Sequence, residues 1–517
     1  MKSDINVERR SNAQIKSGAF ISYFAIAINI LIGFMYTPWM LTQIGDSDYG
    51  LYMLASNLIA LFTLDFGMSA AVSRFISKFN AEKNQHAVNN FLGIVYKLYL
   101  AITTVLVIAL IIVFFFIDNI YAGLTHSEIE KFKIVYVIAS MSTVVSFPFI
   151  TLNGIMTSYE EFKALKLCEL FQKLFAVGLT IGALIMGMGL YALVTINAGS
   201  MLITIIIKLV VIRRKTPVRV NFRFFNKQML KSIFSFSIWS TIGSLAQRFV
   251  FNIIPTILGM IATSVDITRF SLASTIEGYS YTISQGINGL FLPKVSRIVA
   301  QEDSKAHLLA LMVKVGRINL SLMALIFIGF LTLGDEFISV WLGDGYYDVY
   351  ISAVLMIFPA VISQPQQIAN TAVIACNKVR MQAIIMTVGS VVNLILAFVL
   401  TDIYGAIGAA LSICIVFLLR TAGMNVVYKK ELHIDIKAFF KQCFLKLIPG
   451  ILITVIIGFL ISAFIPLSGW IGFVFKAIIL AIAYVIVMWI LGWNKEEKIL
   501  IKSILGDIIH KIKNRKR

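Results

Sequence analysis

Apolar stretches, each about 20 residues or longer, follow one another along almost the whole chain. A helix rises about 1.5 Å per residue and the hydrocarbon core of a bilayer is about 30 Å thick, so each stretch is long enough to cross a membrane. Fourteen are read, at 17–42, 50–73, 90–117, 132–156, 167–186, 189–212, 232–258, 262–293, 311–333, 349–373, 381–402, 404–427, 443–465 and 470–492. Lipid offers the backbone no hydrogen-bond partner, so spans must be helices or a closed barrel, and the two-residue alternation of barrel strands is missing. The predicted fold is an all-α polytopic membrane protein with 14 transmembrane helices. Composition excludes the alternatives. Of 517 residues, 59% are hydrophobic and 14% charged, whereas an ordinary soluble domain carries about 25% charged residues. That rules out a soluble enzyme, a secreted disulfide scaffold and a disordered chain. Cys168, Cys376, Cys414 and Cys443 lie in or beside apolar segments without CxxC spacing, and no Cys/His cluster suits a metal.

So oily a chain still carries 45 Lys+Arg against 26 Asp+Glu, a net charge of +19. The connections between spans alternate. Residues 42–49 hold Asp46 and Asp48 and no base, and the connection after span nine holds Asp335, Glu336, Asp344 and Asp348. The intervening connections are basic, with Arg213, Arg214, Lys215, Arg219, Arg223, Lys227 and Lys231 after span six. Lys294, Arg297, Lys305, Lys314 and Arg317 follow span eight, and eight more cations lie beyond Trp493. By the positive-inside rule both termini are cytoplasmic, as an even number of spans requires. The segment Met1–Ser17 runs straight into a span with no cleavage pattern, so it is not read as a signal peptide. No aromatic platform or nucleic-acid motif accompanies the basic loops, so anionic lipid is their partner and no nucleic acid is expected. The tail from Ile499 to Ile512 patterns as an amphipathic helix on the inner surface.

The chain also repeats itself, loosely, after about 220 residues. Asp48-Tyr-Gly-Leu-Tyr-Met-Leu-Ala-Ser56 parallels Asp266-Ile-Thr-Arg-Phe-Ser-Leu-Ala-Ser274, and Val72-Ser-Arg-Phe-Ile76 parallels Val295-Ser-Arg-Ile-Val299. Lys97-Leu-Tyr-Leu parallels Arg317-Ile-Asn-Leu, and Gly189-Leu-Tyr-Ala parallels Gly405-Ala-Ile-Gly. Six spans separate the copies, an even number, so the copies share one orientation. The domain organisation predicted is a cytoplasmic segment 1–16, a six-helix bundle 17–212, a basic linker 213–231, a second bundle 232–427, an appended helix pair 428–492 and a basic tail 493–517. Two parallel bundles that rock about a cleft form an alternating-access transporter.

No extramembrane stretch is long enough to fold alone. No GxxxxGK[ST], HExxH or GxSxG motif is present, which argues against an enzyme. The stretch Asp48-Tyr-Gly-Leu-Tyr, followed by Leu64-Asp-Phe-Gly-Met-Ser-Ala-Ala-Val-Ser-Arg-Phe-Ile76, resembles the opening of the polysaccharide-repeat-unit flippases, within the multidrug/oligosaccharidyl-lipid/polysaccharide exporter superfamily. The span count, the bundle repeat and Leu292-Pro-Lys-Val-Ser-Arg297 fit the same family. The resemblance implies movement of an undecaprenyl-diphosphate-linked oligosaccharide between leaflets of a bacterial cytoplasmic membrane, for O-antigen, capsule or other surface polysaccharide. It implies no cofactor beyond a proton or sodium gradient or the membrane potential. Polymerase and chain-length machinery would be its partners.

Ionisable groups deep in spans are costly and face cavities or partners. Counted from the basic ends at about 1.5 Å per residue, Asp65 and Arg420 lie about 14 Å deep, and Arg248 and Glu277 about 26 Å. Arg269 falls near the outer mouth. Arg248, Arg269 and Arg420 are the candidate diphosphate ligands, because a guanidinium fork matches phosphate geometry. Asp65 and Glu277 are the candidate coupling carboxylates. Arg248 and Glu277 could instead form a plain ion pair, and Arg420 could snorkel to the surface. Arg74, Lys97, Lys208, Arg297, Lys314 and Arg317 read as anchors at span ends, and Glu169 and Lys173 as an i,i+4 pair. In span ten, Gln364 and Gln367 flank Pro365, whose helix break frees carbonyls toward a polar path for sugar. Lipid II transport and cation-coupled export of small molecules stay open beside the repeat-unit reading. The three arginines weigh against a cationic drug, and a membrane-embedded glycosyl polymerase lacks its large outer loop.

Overall fold

The computed structural model describes residue 24 and residues 26–63, 68–288, 291–299, 304–376, 378–499 and 502. Among these residues all regular structure is helical. A first helix, α1, runs through 26–44. There follow α2 (Asp46–Phe62), α3 (Met68–Ala81), α4 (Gln85–Ile120) and α5 (His126–Ser146), then a 3₁₀ turn, Phe147–Ile150, and α6 (Thr151–Ser158). Next come α7 (Phe162–Ile185), α8 (Gly189–Lys215), α9 (Lys227–Phe251), α10 (Ile254–Ile261), α11 (Ser264–Asn288) and α12 (Leu292–Val299). The chain continues as α13 (Ser304–Leu342), α14 (Tyr347–Ser363), a 3₁₀ turn at Gln364–Gln366, α15 (Gln367–Ala375) and α16 (Val379–Glu431). There follow α17 (Ile436–Cys443), α18 (Ile448–Phe464), α19 (Gly469–Val487) and a π turn at Met488–Gly492, and residues 495–499 are again helical.

Among the described residues nine helices are long and apolar enough to cross a membrane, or ten if the pair Ile436–Cys443 and Ile448–Phe464, bent by 46°, is one span. Three physical causes separate this from the fourteen hydropathic segments. Segments 381–402 and 404–427 run together as α16, whose 53 residues include non-helical backbone at Gly405 (φ 53, ψ −131). That helix is two spans merged across a kink, since 53 residues of straight helix would extend about 80 Å, far beyond one bilayer. Segment 50–73 is broken, with α2 ending at Phe62 and α3 starting at Met68. Segment 262–293 is α11, rich in Ser, Thr and Tyr and carrying Asp266, Arg269 and Glu277. The first segment falls partly outside the described residues.

The order of elements recurs along the chain. The 36 residues of α4 and the 39 of α13 are each followed by a helix ending in a proline-bearing 3₁₀ turn. Pro148 occupies the first turn and Pro365 the second. Proline removes an N–H and clashes with the preceding turn of helix, so each break is written locally into the sequence. Gly189 opens α8 with φ +31 and Gly405 kinks α16 with φ +53, a region that residues with a Cβ seldom occupy.

By contact the chain forms two compact units. The first comprises Met1–Ser271 with Met386–Ile413, the second Leu272–Ile385 with Cys414–Arg517. The boundaries fall inside α11 and α16. In the second unit a core of Met312, Val315, Ile328, Ile368, Val373, Phe439 and Leu447 is sealed from solvent. The tail expected to be amphipathic lies outside the described residues after Ile499, except Lys502, whose ammonium stands 5.6 Å from the Trp489 ring.

Candidate functional site

In the first unit the starts of α2, α5 and α11 meet at one carboxylate. Thr125 and Glu128 form a capping box at the head of α5: the Glu128 N–H donates to Thr125 Oγ1 and the Thr125 N–H donates to Glu128 Oε2 at 2.9 Å. The other carboxylate oxygen, Oε1, accepts from Ser47 Oγ of α2 at 2.6 Å and from Ser264 Oγ of α11. Beside it Lys131 pairs with Asp48 at 2.7 Å, and Thr268 Oγ1 donates to the Asp46 carbonyl at 2.6 Å. Gly50 lets the backbones close up, since a Cβ there would collide with the Ser264 carbonyl. The Asp266 carboxylate accepts from Thr263 Oγ1 at 2.7 Å and from the Ala406 N–H at 3.4 Å, beside the Gly405 kink. The sequence carried a signal for this junction in the pattern Thr125-His-Ser-Glu128, but the reading from sequence missed it.

Arg248 stands at the break in span two. Its Nη1 donates to the Ala60 carbonyl at 2.6 Å, to the Thr63 carbonyl at 2.7 Å and to Thr63 Oγ1 at 3.4 Å. Thr63 is the C-cap of α2. The last carbonyls of a helix have no partner within it and carry the negative end of its dipole, so a half-buried guanidinium is well placed there. Asp65, the expected coupling carboxylate, lies outside the described residues. Arg269 is half-buried in α11.

On α7, Glu169 pairs with Lys166 at 2.8 Å rather than with Lys173, which corrects the i,i+4 pair expected from spacing. Lys208 of α8 donates to Asn153 Oδ1 of α6 at 2.9 Å, and Lys215 pairs with Glu161 at 2.6 Å. Lys97 donates to the Phe224 carbonyl at 3.3 Å.

The second unit holds the other candidates. Gln364, in the proline-bearing turn, is buried in a polar network with α11 and α13. Ser284 Oγ lies 3.2 Å from Gln364 Oε1 and 3.3 Å from Asn319 Oδ1, and Asn319 Nδ2 donates to Asn288 Oδ1 at 2.6 Å. Ser284 and Asn319 are wholly buried, and Asn288 and Gln364 nearly so. One hydroxyl proton faces two acceptors, so the network is short of donors at its centre. Gln367 is half-buried at the head of α15, and its carbonyl accepts from Thr371. Arg420 is half-buried with its guanidinium 5.2 Å from the Phe417 ring. Glu277 is half-buried in α11.

Arg317 is the best-held cation in this unit. It is 3% exposed. It forms a fork with Glu497 at 2.6 and 2.8 Å and donates to the Gln442 carbonyl at 3.0 Å and the Gly492 carbonyl at 2.8 Å. Lys314 pairs with Glu496 at 2.6 Å and holds that carboxyl below its ordinary range. Lys476, nearly buried in α19, pairs with Glu336 at 2.8 Å. Both segments flanking the π turn at Met488–Gly492 are therefore tied to α13 by ion pairs.

Residues 15–293 match the polysaccharide biosynthesis protein family. No curated relative matches the chain. Among solved structures, the lipid II flippase MurJ in an inward closed conformation is similar over 92% of this chain and 98% of its own, with a TM-score of 0.67 and 16% identity. An inward-facing multidrug resistance transporter of the MATE family is similar over 79% of this chain and 95% of its own, at TM-score 0.59 and 13% identity. A transporter of the same superfamily from Pyrococcus furiosus, described as having a binding pocket of reverse polarity, gives 0.54 and 14% over 81% of this chain and 97% of its own. At such identities the likeness is one of fold.

Proposed function

The chain belongs to the polysaccharide biosynthesis protein family, and from that premise we propose that it is a flippase for undecaprenyl-diphosphate-linked oligosaccharide repeat units. It carries them from the cytoplasmic to the outer leaflet of a bacterial plasma membrane, for assembly of O-antigen, capsule or exopolysaccharide. The multi-pass helical fold, shared with flippases and exporters, supports a transporter rather than an enzyme. The observation that carries the reading is that the family match spans the broken second span and the arginine held at its break.

In this reading the two bundles, 17–212 and 232–427, alternate access to a cleft, with both termini cytoplasmic. Arg248, Arg269 and Arg420 attract the diphosphate, and Gln364 and Gln367 meet the sugar. The same guanidinium holds the α2 carbonyls through Nη1, so cargo binding and the state of the α2 end are linked. Asp65 and Glu277 take up a proton or sodium ion and thereby couple the cycle to the gradient. Polymerase and chain-length proteins receive the delivered units.

The test is lipid analysis of a strain lacking the gene. Diphosphate-linked oligosaccharide is expected to accumulate on the inner leaflet while surface polymer disappears. Accumulation of lipid II instead would establish peptidoglycan precursor as the cargo, and unchanged lipid pools with lost drug resistance would establish small-molecule export.

A further inference from the structure

Lys173 lies midway along α7, about 17 Å from either end of the helix. Its side chain is exposed, and among the described residues it forms no hydrogen bond or ion pair. Its neighbours in charge are all engaged elsewhere: Lys166 with Glu169, and Lys208 with Asn153. An exposed ammonium in the middle of a span must face either lipid or water. Lipid is the costly choice, and a lysine stem is too short to carry the charge to the surface from mid-span.

The helix itself shows which face is which. Exposed Leu167, Phe171, Leu174, Ile181 and Ile185 line one stripe of α7, and exposed Leu179 stands apart from it. Taking 3.6 residues per turn, Lys166, Glu169 and Lys173 form a second stripe roughly 130° around the helix from the first. The second stripe shares its side of the helix with buried Leu165, Ala176, Thr180, Ala183 and Leu184, so Lys173 opens on the protein-facing side of α7. The apolar stripe is the one that suits lipid. The polar stripe is exposed yet turned away from it, and the charges on it require water.

We propose that Lys173 is an anion-binding subsite on a watered face of the first unit, where it receives an anionic oxygen group, phosphate or carboxylate, of the cargo. The assignment rests on the flippase reading for the identity of that cargo. It does not rest on it for the exposure of Lys173 to water. A lone ammonium is a point charge with three donors and no geometric demand for a planar partner, so it accepts either a phosphate or a uronate. With Lys166 neutralised by Glu169, Lys173 contributes the one uncompensated charge of its stripe.

Two measurements on the full-length chain test this. First, with the four native cysteines replaced, Lys173→Cys is treated in sealed vesicles, made in both orientations, with an anionic methanethiosulfonate reagent, which does not enter lipid. Modification as fast as at a loop cysteine is expected, whereas no modification in either orientation would overturn the assignment whatever the cargo. Second, the purified protein is titrated with undecaprenyl diphosphate and, separately, with an oligosaccharide ending in a uronic acid. Lys173→Gln should weaken one of the two by about tenfold or more, and Lys173→Arg should restore it; the probe affected names the group. Tight wild-type binding that Lys173→Gln leaves unchanged for both probes would overturn the Lys173 assignment and leave the flippase reading standing. Wild-type binding to neither probe would overturn both.

Discussion

Replacing Arg248 by Ala should loosen the end of α2 before it affects anything else. Arg248 donates through one nitrogen to two carbonyls at 2.6 and 2.7 Å. Hydrogen bonds from a charged donor contribute about 1.5–3 kcal/mol each, and the attraction of a cation to a helix C-terminus adds some tenths more. Because the side chain is half-buried and shares one donor group, the lower end applies, and about 3 kcal/mol is lost in all. That is about a 150-fold increase in fraying of the last turn. The Thr63 N–H, bonded to the Ile59 carbonyl at 3.1 Å, reports on this turn. Hydrogen exchange followed by mass spectrometry on peptides covering 58–63 should show it exchanging on the order of 100-fold faster in Arg248→Ala. Arg248→Lys should fall between, since an ammonium keeps the charge but not the position and planar geometry of Nη1. Surface polysaccharide should vanish in Arg248→Ala with the protein still inserted. Unchanged exchange at Thr63 would refute the clamp, and normal polymer alongside faster exchange would refute its link to transport.

Two further outcomes follow from the same geometry. Arg317→Ala leaves Glu497, 11% exposed, without its cation and should cost about 3 kcal/mol, read as a fall in the melting temperature of the purified protein, whereas Arg317→Met with Glu497→Leu should recover most of it; equal melting of single and double variants would contradict the ion-pair account. Ser47 and Ser264 donate to the same Glu128 oxygen, so Ser47→Cys with Ser264→Cys, in a chain freed of native cysteines, should oxidise to a disulfide that blocks polymer export until reduced; export undiminished by a complete crosslink would mean that the starts of α2 and α11 need not part during transport.

The fold was legible because its strongest signal is long-range and redundant. Twenty apolar residues cannot be much other than a span, and Pro148, Pro365, Gly189 and Gly405 mark breaks through properties they carry alone. What sequence misread was pairing. Spacing on α7 allowed Glu169 either Lys166 or Lys173, one turn away on opposite sides. The choice depends on rotamers and on neighbouring helices, which a single helix does not record. Depth was likewise a poor guide to role. Arg317 looked like a span-end anchor and is bonded through all three of its guanidinium nitrogens, while Lys173 looked paired and has no hydrogen bond or ion pair among the described residues. Glu277 is half-buried in α11, but its chemistry depends on contacts that counting residues does not supply.

The arginines and lysines share one rule that the sequence did contain. Each helix end leaves carbonyls without partners, and in a membrane protein water is often not there to take them. Arg248 takes those of α2, and Arg317 takes Gln442 at the end of α17 and Gly492 at the end of the π turn. Lys378 takes the carbonyl of Glu431, the last residue of α16, at 2.6 Å. Broken and short helices multiply such ends, so a transporter built from them requires more buried donors than a bundle of straight spans. Part of the surplus of cations is therefore structural, spent at helix ends rather than on loops or cargo. A deep cation near a break in a neighbouring span should first be assigned to that break. A cation with no hydrogen bond or ion pair among the described residues, such as Lys173, is the better candidate for the cargo.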